Sequence, residues 1–482
     1  MIPIARRVKG VGSLSALALS LTGCASFSPD GGMSTVSAYA GAELGKSVIK
    51  VSTLEDAAVA HASMITLLRT SLTADAAVQI ALLNNRGLQA EYNALGISEA
   101  AFVAASLPPN PAVSISRAVV EGDLEFERRL VANILGLITL PARREIAERE
   151  FQAARYRAIE ATFRLAANTR LSYYRAVAAQ QRVTFLENAR LSAEAAAELN
   201  RKLGETGAAT KLNQARAGAF YAEVSNELAL ARLEVATQRE ALTRDLGLWG
   251  ARMDYKLPRQ LPNLPPRLQT AKQVEVEAIR KRVDLIAARI ELDALARSLG
   301  LDDATRYVSA FELAGFANSE RSKDGGEIEK EYTKGYEFEL AVEIPIFDGG
   351  RTARRNSRET YMQAVNRFTE QAINIRSEAR TAYLSYRASY DISRQYRNQI
   401  LPLRNTINEQ ALLEYNGMLI DVFELLTTTR ESIDSNIAAI DAKRDFFLAK
   451  VNFEHAIIGG GGNASGASEP TVTAEAPAGG GH

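Results

Sequence analysis

Cysteine is nearly absent. The 482 residues hold one, Cys24, so neither an intramolecular disulfide nor a CxxC site can form. Histidine is scarce too: His61, His455 and His482 make no ligand cluster, and metal-centred catalysis is poorly supported. Neither sign of charge is in excess. The 57 Lys and Arg balance 57 Asp and Glu, which weakens any case for a nucleic-acid partner. Charged residues are 24% and apolar residues 46%, so the chain is neither a helical inner-membrane transporter nor disordered throughout. No Ser/His/Asp set, phosphate loop or paired-carboxylate site stands at a usable spacing. We therefore expect no enzyme and no cofactor.

The amino terminus reads as a processing signal. Arg6, Arg7 and Lys9 precede an apolar run from Val11 to Leu21, too short to span a bilayer as a mature helix. Leu21-Thr22-Gly23-Cys24 follows and resembles the bacterial lipobox, in which the cysteine is acylated, palmitate being one such chain. Residues 1–23 are then a signal peptide, and Cys24 is a lipid anchor. Several acyl chains hold a protein stably at a membrane where one does not. Ala25 after the cysteine, by that resemblance, favours sorting to the outer membrane. The processed chain would carry 54 basic and 57 acidic residues. Residues 24–50, rich in Ser, Gly and Ala, read as an extended tether or surface wrap.

Beyond the tether the order of elements repeats. Residues 51–105 are helical, with a break near 71–75, and end at the proline cluster Leu107-Pro108-Pro109-Asn110-Pro111. Two strand-like segments follow, about 112–120 and 127–140, around Glu121-Gly122-Asp123. Long helical patterns cover 142–203 and 208–247, with a turn at Gly204 and Gly207. About sixty helical residues would measure roughly 90 Å. The proline-rich segment 258–266 closes a first unit, residues 51–266. The second, residues 267–457, runs in the same order: a helix over 270–299, strands about 306–317 and 333–345 around a polar stretch at 318–334, then helices 351–401 and 403–457. These last are interrupted near Asn416 and Gly417. Pro345 lies 204 residues after Pro141, and Gly417 lies 213 after Gly204. Gly87 to Ala94 likewise reads like Val283 to Ile290. A duplicated unit fits these spacings. The tail, 458–482, is Gly/Ala-rich low complexity and is expected to be disordered.

The fourth strand has the clearest pattern. Tyr336, Phe338, Leu340, Val342 and Ile344 alternate with Glu337, Glu339, Ala341 and Glu343. In a soluble sheet this puts core on one side and water on the other. In a porin-like barrel it puts lipid outside and a wet lumen inside. Periodicity alone does not separate the two. In the last helix Leu419, Val422, Leu426, Ile433, Ile437, Ile440, Phe447 and Val451 form a near-heptad seam. A soluble helical rod would show the same seam, but strands inserted at mirrored positions argue against one.

Four segments resemble the TolC family of bacterial outer-membrane efflux proteins, in particular its lipoprotein branch. They are the proline cluster at 107–111, Arg282-Val283-Asp284-Leu285, Ile344-Pro345-Ile346-Phe347-Asp348-Gly349-Gly350-Arg351, and Tyr415-Asn416-Gly417 with Asp421-Val422-Phe423-Glu424. The resemblance covers roughly residues 50–457. It departs at Val283, where the family has proline, and after Pro141, where Ala142-Arg143-Arg144 replaces Gly-Gly. Independently of any family, Pro345 suits a strand end, and Gly349-Gly350 permits positive φ where a strand turns into a helix.

The resemblance implies a mixed α/β membrane protein: a homotrimer with a 12-stranded β-barrel, four strands per chain, joined to a periplasmic α-helical coiled-coil barrel. It implies a passive outer-membrane exit duct served by a periplasmic adaptor and an inner-membrane pump. Asp421 and Glu424 would form carboxylate rings at a periplasmic constriction. Gly204, Gly207, Asn416 and Gly417 would form adaptor-facing tips. Heavy-metal cations or secreted proteins are alternative cargoes. Two other classes stay open: a non-channel coiled-coil lipoprotein scaffold, and a soluble helical protein with a misread signal peptide.

Overall fold

A computed structural model of the chain describes residues 26–120, 123–249, 254–268, 273–324 and 327–459. Cys24, the signal peptide, the Glu121-Gly122 turn and the tail beyond Gly459 lie outside the described residues. Helices α1 (Met33–Tyr39), α2 (Leu54–Leu68), α3 (Ala74–Asn84) and α4 (Arg86–Ser106) precede strands β1 (Ala112–Val120) and β2 (Asp123–Asn133). Helices α5 (Ile134–Ile138), α6 (Leu140–Glu205), α7 (Lys211–Asp245), α8 (Val274–Lys281) and α9 (Val283–Thr305) follow. Strands β3 (Val308–Asp324) and β4 (Glu327–Val342) then lead to α10 (Arg351–Gln395), α11 (Leu401–Asn416) and α12 (Val422–Ile458). Two compact units result. One holds the described residues up to Gly45, with Gln89–Ala158 and Ile286–Glu370; the other holds Lys46–Leu88, Ile159–Leu285 and the residues from Gln371 onward.

The first unit contains one antiparallel sheet in the order β1-β2-β3-β4. Directly paired residues share a face. Val113 pairs with Leu130, Leu130 with Gly315, and Gly315 with Tyr336; Leu313 pairs with Phe338, and Phe311 with Leu340. That face is largely apolar, interrupted by Arg117, Arg128 and Lys334, yet it is not a core: Tyr336 is 85% and Phe338 61% exposed, and Val113, Ile115, Leu130 and Leu340 are exposed with them. The opposite face is polar. Ser116 pairs with Glu127, Glu127 with Asn318, and Asn318 with Thr333. On it Arg129 reaches Glu337 at 3.0 Å and Glu339 at 3.9 Å. The sheet thus exposes its apolar side and fills its other side with charge.

Several boundaries differ from the sequence reading. The second strand ends at Asn133, not near 140, because the Asn133 side chain caps α5 by accepting from the Gly136 N–H at 2.6 Å. Within the polar stretch 318–334 the described residues belong to the two strands. The ladder runs to Asp324 opposite Glu327, since backbone pairing needs no apolar side chains. The tether expected over 24–50 is partly helical and docked: Met33 and Val36 are buried, and Ser28 donates from its N–H to Glu99 Oε1 at 2.7 Å. The first α4-side boundary was also read too simply, since α3 and α4 are separated at Asn85 (φ −67°, ψ 119°). Arg282 separates α8 from α9 in the same conformation (φ −62°, ψ 119°).

The second unit is a layered helical bundle. Val183 and Leu186 of α6, Phe220, Val224 and Leu228 of α7, and Val422, Leu426, Ile433 and Ile437 of α12 form one buried cluster. The seam expected in the last helix is therefore packed, apart from Leu419, which lies in the preceding turn and is exposed. Pro402 does not end its helix. It cannot donate to the Asn398 carbonyl, and the chain accommodates it through a widened π turn over Tyr396–Ile400 before α11 continues.

Candidate functional site

Two helix–helix turns of the second unit carry most of the expected site residues. Between α6 and α7, Gly204 still belongs to the helix, and Gly207 takes the left-handed conformation (φ 78°). The Ala208 N–H returns to the Leu203 carbonyl at 2.7 Å, and Thr210 caps α7 by accepting from the Asn213 N–H at 3.2 Å. Between α11 and α12 the same device recurs. The Leu419 N–H returns to the Glu414 carbonyl at 2.8 Å, and Asp421 caps α12 by accepting from the Glu424 N–H at 2.9 Å. Here Met418, not Gly417, holds the left-handed position: Met418 has φ 57° and Gly417 φ −80°. The matching residues are Gly207 and Met418, so the spacing of the two turns is 211 residues and not the 213 expected from Gly204 and Gly417.

Asp421 and Glu424 are both exposed. Asp421 has a local task as the cap, and Glu424 sits in the first helical turn, where negative charge suits the helix dipole. Tyr415 packs against the buried cluster. The sequence reading missed a clamp nearby. Arg430 of α12 bonds Glu223 at 3.2 Å and also Glu227, both on α7, and approaches Asp434 on its own helix at 3.4 Å. Arg404 of α11 pairs with Glu431 of α12. Arg216 of α7 lies over the Phe423 ring at 4.5 Å. The i,i+4 spacing of Glu223 and Glu227 was the one available sequence sign, since such a pair can hold a single guanidinium.

The Arg282-Val283-Asp284-Leu285 motif forms a buried node. Arg282 is 1% exposed. Its Nε and one terminal nitrogen meet Asp284 at 3.0 and 2.7 Å, and the other meets Glu378 of α10 at 2.6 Å. Burial opposes the Arg282 charge, but Asp284 and then Glu378 more than offset it and hold the guanidinium above its usual range. Burial likewise raises the Asp284 carboxyl, and the Arg282 bonds bring it below the ordinary carboxylate range. Burial, and then Arg282, push the His455 imidazole down to about 4.

In the first unit the chain leaves β4 and enters α10 through two left-handed glycines. Gly349 (φ 60°) and Gly350 (φ 72°) are left-handed, and the Gly349 N–H donates to the Pro345 carbonyl at 2.9 Å. Asp348 accepts from the Gly350 N–H at 2.8 Å and the Thr352 N–H at 3.1 Å. Its bonds to Thr352, then Gly350, pull the carboxyl to about 2. At the matching place in the first half, Ala142, Arg143 and Arg144 have no positive φ; Arg143 instead reaches the Gly136 carbonyl at 2.8 Å. Among the described residues there is no group of three His, Cys, Asp or Glu able to hold a metal, and no helix long and apolar enough to cross a membrane.

An exposed apolar sheet face backed by a charged one, on a chain of long paired helices, is the arrangement to compare with known proteins. Residues 275–450 match the family of outer membrane efflux proteins. Solved structures of bacterial membrane proteins share the fold over most of the chain. The CmeC outer membrane channel of Campylobacter jejuni is 20% identical, with a TM-score of 0.67 over 80% of this chain and 86% of that one. The outer membrane protein VceC of Vibrio cholerae is 18% identical, with a TM-score of 0.65 over 80% and 96%. A membrane protein of Pseudomonas aeruginosa is 20% identical, with a TM-score of 0.67 over 82% and 92%. No curated protein matches the chain in sequence.

Proposed function

We propose that this protein is one subunit of a passive outer-membrane exit duct in a tripartite efflux system. The observation that carries the reading is the inverted sheet. Water penalises a face bearing Val113, Ile115, Tyr336, Phe338 and Leu340, whereas lipid accepts it. The opposite face, with Glu127, Arg129, Glu337 and Glu339, suits a wet lumen. In lipid the edge strands β1 and β4 cannot stay unpaired, because nothing there satisfies their backbone groups. Three copies joined β4 to β1 would close a 12-stranded barrel wide enough for a channel.

The matched joints at Asn85 and Arg282, and the matched turns at Gly207 and Met418, support an internal duplication. The tips around Gly204, Gly207, Asn416 and Gly417 would meet a periplasmic adaptor, and through it an inner-membrane pump that supplies the energy. Asp421 and Glu424 would project as carboxylate rings in the trimer, and the Arg430 clamp would hold α12 against α7 in the resting state. Cys24, acylated, would anchor the chain at the outer membrane as in the lipoprotein branch.

The test is the mass of the full chain in mild detergent, with Cys24→Ala beside it. A trimer that still needs detergent without its lipid is expected. A monomer, or a Cys24→Ala protein that dissolves in plain buffer, would leave the coiled-coil scaffold as the better reading.

A further inference from the structure

The second unit holds a cavity of about 510 Å³ that none of the duct features explains. It lies where the connector 254–268 crosses α6, α12 and the π turn, and its volume is in the range of small-molecule sites, about 300–1,000 Å³. Arg259 of the connector, Arg397 of the π turn and Lys443 of α12 line it. No carboxylate among the described residues does. Lys443 spends one donor on the Leu261 carbonyl at 3.0 Å, and Gln181 holds the Leu261 N–H at 2.9 Å, so the connector is pinned to the cavity on both sides. Phe185, Leu264 and Ile440 supply apolar wall, and Asn188 and Asn263 supply amides.

Three cations with no carboxylate among the described lining residues repel one another, although Arg259 and Arg397 are exposed and only Lys443 is part-buried. The strain is visible at Lys443, where burial and then Arg397 pull the ammonium below the usual lysine range. An anion entering the cavity would remove it. π turns in α-helices also frequently mark functional sites, and this one presents Arg397.

We propose that this cavity binds an organic anion, a phosphate, sulfonate or carboxylate group carried on a small apolar body. The charged group would engage Arg259, Arg397 and the remaining donors of Lys443, and the body would lie against Phe185 and Ile440. Occupancy would tie the connector to α6 and α12. The proposal is independent of the duct reading, because it needs only the fold of the second unit.

Phenyl phosphate is a suitable probe, titrated calorimetrically into the full-length protein in non-ionic detergent at low salt. Saturable binding at one site per chain is expected, tighter than for inorganic phosphate. Lys443→Met would cut the connector loose and could unfold the unit, so the exposed Arg259 and Arg397 are the better targets. Losing both as R259Q/R397Q should weaken binding at least about tenfold, in line with lost charge-assisted bonds. Arg394→Gln, at the end of α10 just before the π turn and outside the cavity, should leave it unchanged. Absence of saturable binding overturns the proposal, as does an equal loss in Arg394→Gln. Equal affinity for inorganic phosphate overturns the organic part of the assignment.

Discussion

Met418 and Gly207 occupy the same left-handed position at the ends of two paired helical turns, but only Gly207 does so without a Cβ. The left-handed conformation costs an ordinary residue about 1 kcal/mol. Met418→Gly should therefore raise stability by roughly 1 kcal/mol, and Gly207→Ala should lower it by about as much. Denaturant unfolding of the detergent-solubilised protein reads both. A strained residue that is also 94% exposed is poorly explained by folding alone. In the duct reading Met418 is a contact for the adaptor, so Met418→Gly should bind a cognate adaptor less well while being more stable. Unchanged adaptor binding would remove Met418 from that contact.

Asp421 has two separable tasks, the cap of α12 and the suggested ring charge. Asparagine and alanine pull them apart. Asp421→Asn keeps a side-chain acceptor for the Glu424 N–H, so its stability should match the parent. Asp421→Ala should lose about 1 kcal/mol. Both remove the charge, and both should raise single-channel conductance and reduce cation preference in planar bilayers. If only the alanine variant changes conductance, the effect comes from a frayed helix end, and Asp421 is not a gate residue.

These two residues show where sequence reasoning reached and where it stopped. The alternation from Tyr336 to Val342 and the glycines at 349 and 350 were legible, because each reports a local backbone requirement. The direction in which the apolar face looks was not, since period two is the same for a core and for lipid. Residues 318–334 read as a polar stretch between two strands, but polarity does not prevent backbone pairing, and the described residues there are paired. Pro402 looked like a helix end, because a π turn leaves no composition of its own. Met418 gave no sign, as methionine is not a residue one expects at positive φ, and so the two turns were aligned on the wrong glycines. The Arg430 clamp joins residues some two hundred positions apart, and only packing brings them together.

Arg282 is buried and holds the mostly buried Asp284 together with the part-exposed Glu378, so its removal should be far costlier than that of a surface charge. Deleting one partner of a buried pair typically costs about 3–5 kcal/mol, because the other charge is stranded. Arg282→Met should therefore fall in that range, with the buried Asp284 carboxylate left without its cation. Adding Asp284→Asn to Arg282→Met should recover part of the loss, which a cavity effect alone would not allow. The exposed pair Arg201 and Glu198 makes the comparison: Arg201→Met should leave stability close to that of the parent.

His455 gives the chain a pH dependence whose sign can be worked out. Its folded pKa of about 4 lies below the ordinary value of 6.5, because burial and then Arg282 disfavour the imidazolium; Arg164 acts in the same direction, and Asp284 opposes it. Between those values the unfolded chain binds the proton and the folded chain does not. Stability contributed by the neutral imidazole is thus present above pH 6.5 and is lost as the pH falls toward 4. At pH 4.5 the loss would be on the order of 2 kcal/mol relative to pH 7. Carboxylates titrate in the same region, so the informative quantity is the difference between the parent and His455→Gln. The parent should lose stability more steeply than the variant from pH 7 to 4.5, and the two should run parallel from pH 7 to 8. Parallel curves throughout the acid range would mean that His455 takes up its proton as readily in the folded protein as in the unfolded chain.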